Sequence, residues 1–126
     1  MKAFLKSFLA LICSFWIGHA VAVEIAGVKL ENKAKVGNAE LNLNGAGLRT
    51  KVFFKVYVIG LYLPAKATTG AEAVSQKGSK RAHLALVRDV GPEDFSDALI
   101  DGLKNNSSEA EFAALKPRVD QLRQAI

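Results

Sequence analysis

The chain has 126 residues, 50% of them apolar and 23% charged, with a formal net charge of +5. That is enough for one small domain around a single core. Its basic residues are scattered and no basic run carries interleaved aromatics for base stacking, which argues against nucleic acid.

Met1 to Ala22 reads as a cleavable secretory signal peptide: basic at Lys2 and Lys6, apolar from Phe8 to Ile17, and closed by Ala20-Val21-Ala22. The apolar run is too short to span a bilayer comfortably, so no stable membrane span is expected after cleavage. Lys2 and Lys6 are two of the 17 basic residues, which leaves 15 against 12 acidic ones in the remainder, a net of +3. Cys13, the one cysteine, lies in the same segment, so residues 23–126 hold no disulfide or thiolate chemistry. The expected product is a periplasmic domain covering 23–126.

Val23 to Leu30 alternates apolar and polar residues and predicts a first strand, with a bulge or turn at Gly27. A polar stretch then ends in the turn signal Gly37-Asn38. Leu41 and Leu43 predict a short strand that runs into a glycine turn at Gly45-Ala46-Gly47. From Val52 to Leu63 the chain is β-branched and aromatic, the composition of buried strand, and Pro64 closes the run. A short helix is expected at Ala71–Gln76 and another strand at Ala82–Val87. His83 in that strand has no second ligand at metal spacing, so no metal site is expected.

Pro92, with Glu93 and Asp94 beside it, suits a helix start. Phe95, Leu99 and Leu103 fall on one helical face with Ala98 and Gly102, and Asn105-Asn106 end the helix. Asp94, Asp97 and Asp101 on the same helix read as a solvated surface rather than as acid/base machinery. Ser108 and Glu111 form a capping box for a second helix, with the stripe Phe112, Leu115, Val119, Leu122 and Ile126, bent or split by Pro117. Strands followed by two amphipathic helices predict an α+β layer, an antiparallel sheet with helices on one face. Phosphate-loop, nucleophile-elbow and metal-cluster motifs are absent from the sequence, so no cofactor is expected.

Three polar handles sit in the apolar central stretch: Arg49, Tyr57 and Tyr62. A guanidinium beside a buried strand must find an anion, because an unpaired buried charge is costly. Either an internal salt bridge or a ligand's carboxylate would serve.

Two blocks carry a family resemblance. The first is Gly45-Ala46-Gly47-Leu48-Arg49 with Phe54-Lys55-Val56-Tyr57-Val58-Ile59-Gly60-Leu61-Tyr62-Leu63. The second runs from Val87-Arg88-Asp89-Val90 through Phe95-Ser96-Asp97-Ala98-Leu99 to Gly102-Leu103-Lys104-Asn105. From about Val23 onward the chain resembles the chalcone isomerase-like family, and within it the bacterial exported branch. The resemblance implies an open-faced β-sandwich, a large antiparallel sheet with helices packed on it and a ligand cleft between them. It also implies a domain incomplete at its C-terminal end, because relatives continue into further strands and a helix.

Family enzymes close a chalcone to a flavanone, with an arginine that stabilises developing negative charge. Arg49 matches that arginine. Tyr57 stands where the enzymes have a threonine, Phe95 where they have a tyrosine, and Gly102 in place of an asparagine. Non-catalytic relatives resemble fatty-acid binders in which the same arginine meets a carboxylate. The leading expectation is therefore a periplasmic, non-catalytic binder of a small amphipathic or fatty acid, with Arg49, Tyr57, Tyr62 and Phe95 as ligand-binding residues. One alternative is an isomerase of the intramolecular lyase type acting on an enone, with Arg49 and Tyr57 catalytic. The other is a structural or interaction protein with an ordinary salt bridge at Arg49.

Overall fold

The structure is a computed structural model and describes residues 22–126. The expected signal segment, with Cys13 and His19, lies outside the described residues save for Ala22.

The first predicted strand is a small hairpin, β1 (Val23–Ile25) and β2 (Val28–Leu30). Its two-residue turn places Ala26 at φ 49° and Gly27 at φ 80°, the double left-handed geometry that matches strand twist. The main sheet comprises β3 (Lys33–Val36), β4 (Ala39–Lys51), β5 (Phe54–Leu63) and β6 (Arg81–Leu86), all antiparallel and in chain order. Three helices complete the described chain: α1 (Gly70–Ser75), α2 (Pro92–Asn105) and α3 (Glu109–Ala125). The architecture is α+β, as the element pattern predicts.

The predicted glycine turn is not a turn. Gly45, Ala46 and Gly47 are extended within β4, opposite Leu61, Gly60 and Ile59, after a register shift between Leu43 and Gly45. A glycine dipeptide permits positive φ without requiring it, and here the ladder with β5 supplies the backbone partners. A side chain at Gly45 or Gly47 would meet open space, so nothing in the structure explains glycine at either position. The reversal comes instead at Val52-Phe53, inside the stretch read as continuous strand, with Lys51 opposite Phe54.

Val58, Gly60 and Tyr62 share one face of β5, as period-two alternation demands, and all three are buried. Leu30, Leu41 and Leu63 join them in the core. A methyl group added at Gly60 would stand 3.1 Å from Leu30 Cδ1 and 3.3 Å from Leu43 Cδ1, so this glycine is set by close packing. Tyr62 ends in this core and donates from its hydroxyl to the Glu31 carbonyl oxygen at 2.8 Å. Asn44 secures the following loop: its side-chain oxygen accepts from Ala67 N at 2.8 Å and its carbonyl accepts from Lys66 Nζ at 2.7 Å.

The capping box predicted from Ser108 and Glu111 is present: Ser108 Oγ accepts from Glu111 N at 3.2 Å, and Ser108 N donates to Glu111 Oε2 at 2.8 Å. The Ser108 N–H, and after it the Ser108 hydroxyl, hold the Glu111 carboxyl below the usual carboxylate range. Thr69 and Glu72 make a second box at the start of α1. Pro117 neither splits nor ends α3, which is assigned unbroken from Glu109 to Ala125. The carbonyl that Pro117 leaves without an N–H partner is that of Ala113, an exposed residue that water reaches.

α2 and α3 face each other through Ser96, Leu99, Ile100, Leu103, Val119 and Leu122, of which only Ser96 and Val119 are buried. Arg123 pairs with Asp97, and Lys104 Nζ lies 5.6 Å from the centre of the Phe112 ring. Contact between this helical pair and the sheet is sparse.

Candidate functional site

The long β4–β5 hairpin carries its far end, residues 49–57, past the core and alongside α2. Between them lies an open cleft of about 760 Å³, a volume within the range of small-molecule sites. Its sheet wall presents Arg49, Lys51, Val56 and Tyr57, together with Leu86 and Arg88 from β6 and the loop after it. Its helix wall presents Phe95, Ala98, Gly102 and Asn105, with Asp94, Asp97 and Asp101 along the same side of α2.

The apolar stripe predicted on α2 thus serves two surfaces. Leu99 and Leu103 turn to α3, whereas Phe95, Ala98 and Gly102 turn to the cleft. The three aspartates read as a solvated helix face are exposed and also line this cleft.

Arg49 pairs in register with Tyr57, and its guanidinium carbon lies 5.9 Å from the centre of that ring. Arg49 is exposed, so burial does not force an anion on it, contrary to the expectation drawn from its apolar neighbours. It also makes no ion pair among the described residues. Glu40, the internal carboxylate nearest in sequence, is held by Lys33 Nζ at 2.6 Å, and that hydrogen bond keeps its carboxyl below the usual range. Lys51 and Arg88 are likewise free of carboxylate partners among the described residues. Arg88 sits over the Phe54 ring at 4.6 Å from its centre.

Of the four residues singled out from the sequence, Arg49, Tyr57 and Phe95 therefore meet at one cleft, and Tyr62 does not. Positions 57 and 62 are an odd number of residues apart on one strand, which already sends their side chains to opposite faces. That signal was available in the sequence. Lys51, Arg88 and the three aspartates were not singled out as site residues, because only the tertiary fold brings residues 49–57 opposite 94–105. Among the described residues there is no cluster of His, Cys, Asp and Glu that could hold a metal ion.

The arrangement can hold an anionic head group on the sheet wall and an apolar body against Val56, Leu86 and Phe95. Tyr57, whose ring centre lies 5.9 Å from the guanidinium carbon, brings a hydroxyl to the same wall. No curated protein and no solved structure matches this chain. A family model described as chalcone isomerase-like matches residues 22–126, the whole of the described fold. The chain belongs to the chalcone isomerase-like family.

Proposed function

We propose that this protein is an exported, non-catalytic binder of a small amphipathic acid, fatty acids among them, working in the periplasm. The observation that carries the reading is an arginine without a carboxylate partner on the wall of a ligand-sized cleft. Arg49 anchors the carboxylate, Tyr57 hydrogen-bonds beside it, and the apolar body lies against Phe95. The aspartates on the facing wall support a polarity within the site. They repel a carboxylate from α2 and so orient it toward the sheet. Solvent extraction of protein purified without detergent, followed by mass spectrometry, tests this. A fatty or aromatic acid carried by the native chain and lost in Arg49→Ala is the expected result. A folded protein whose extracts stay empty, and which ignores added fatty acids, would overturn it.

A second reading rests on the pairing of Arg49 with Tyr57 at the same cleft. There Arg49 polarises the carbonyl of an enone and Tyr57 gives the proton that completes an intramolecular addition. A panel of enones on which the native chain reacts no faster than Arg49→Ala would remove this reading.

A further inference from the structure

The β4–β5 turn is made of the wrong residues for a hairpin that ends in water. Two-residue hairpin loops favour asparagine and glycine because the backbone there turns left-handed. Here the loop is Val52-Phe53, and Val52 takes φ 58°, a strained conformation for a β-branched residue. Both side chains stand in solvent, Val52 at 79% exposure and Phe53 at 94%, and the adjoining Phe54 is 59% exposed. Nothing in the turn geometry calls for three consecutive large apolar side chains, so the strain and the exposure together point to a role at the tip.

What surrounds the tip states its partner. Lys51 and Lys55 flank the apolar residues, Arg49 lies two positions before Lys51, and Arg88 stacks on Phe54. All four cations are exposed, and none pairs with a carboxylate among the described residues. An apolar wedge inside a collar of four unpaired cations is complementary to an anionic lipid surface, with hydrocarbon beneath a layer of negative head groups. We infer that the Val52-Phe53-Phe54 tip inserts into anionic bilayers and docks the chain there, with the cleft opening beside the membrane because Lys51, Val52 and Phe54 also line it. The inference stands on the tip and not on what fills the cleft.

Fluorescence on the exported chain, residues 23–126, tests it. Trp16, the one tryptophan in the sequence, lies in the expected signal segment, so Phe53→Trp reports from the tip alone. With phosphatidylglycerol vesicles the indole emission should shift to the blue and be quenched by brominated acyl chains, and salt should reverse both. In vesicle sedimentation, Phe53→Ser should weaken partition roughly tenfold and Lys55→Ser about fivefold. Val52→Gly suits the observed φ, so it keeps the fold and should also weaken binding. No spectral change with vesicles overturns the proposal, as does equal binding to neutral phosphatidylcholine. A shift that needs no vesicles and grows with protein concentration overturns it in favour of a second copy of this chain. Fatty-acid titration without vesicles reads the cleft separately, so failure of one reading does not mask failure of the other.

Discussion

Replacing Tyr62 by phenylalanine removes a single oxygen, and the structure dictates both the size and the kind of effect. The ring is 4% exposed, and its hydroxyl donates to the Glu31 carbonyl at 2.8 Å. A hydrogen bond of this type contributes about 0.5–1.5 kcal/mol net, and a buried acceptor left without a partner costs about 1–3 kcal/mol. Glu31 is itself exposed, so water can reach its carbonyl once the hydroxyl is gone. The loss should therefore fall near 1 kcal/mol rather than at the upper end. For a domain of this size that lowers the melting midpoint by about 4–8 °C. Thermal melts followed by circular dichroism measure the stability term, and titration with a fluorescent fatty-acid probe measures the cleft. Tyr62→Phe should lower the first and leave the second unchanged, whereas Tyr57→Phe should weaken probe binding with little change in stability. Lost probe binding in Tyr62→Phe at unchanged stability would refute the placement of Tyr62 outside the cleft.

Arg49→Ala should weaken binding of a carboxylate probe by about tenfold, the lower part of the roughly 1.5–3 kcal/mol range for hydrogen bonds to charged groups, because the cleft is open to solvent. Arg49→Lys should recover only part of that, since an ammonium cannot grip a carboxylate in two places. Gly60→Ala should destabilise by roughly 1 kcal/mol in urea unfolding: overpacking Leu30 and Leu43 costs about 1–3 kcal/mol against a backbone gain of about 0.5–1 kcal/mol. Ser108→Ala should cost about 1 kcal/mol through loss of the cap on α3. The Glu40, Glu72 and Glu111 carboxyls titrate lower in the fold than in the open chain, for hydrogen-bonding and charge reasons. Their contribution is fully present above the ordinary carboxylate range and lost as pH falls through the folded values. Melts from pH 7 down to about pH 3 should show that decline, shallower in Glu111→Gln.

What could be read from the sequence was local. The Ser108–Glu111 box and the Pro92 start are written within a few residues of the bonds they make, and both helices follow. β5 was legible because Phe54–Leu63 is apolar or aromatic throughout except for Lys55 and Gly60. β4 was not, because Asn44 to Gly47 has turn composition and only pairing with β5 keeps it extended. The reversal at Val52-Phe53 was hidden for the opposite reason, since apolar residues occupy a loop that usually announces itself with glycine or asparagine. Arg49 was legible as a site residue and misread as buried. Apolar residues stand on both sides of it in sequence, but Leu48 is only half-buried and residues 50–55 are all exposed, because the end of the hairpin runs clear of the core.

The α2–α3 pair packs on itself more than on the sheet, which it meets only sparsely, with Val87 N donating to Val56 O at 3.0 Å just before the chain leaves for α2. Such an arrangement divides the fold into two cooperative units of unequal stability. The helical pair should open without the sheet, exchanging its amide hydrogens faster than the β4–β5 ladder. Heating would then produce helical and aromatic signals that do not coincide, and a single midpoint would average two events. A ligand that bridges Arg49 and Phe95 would join the two units, so its binding should appear first as the merging of those transitions.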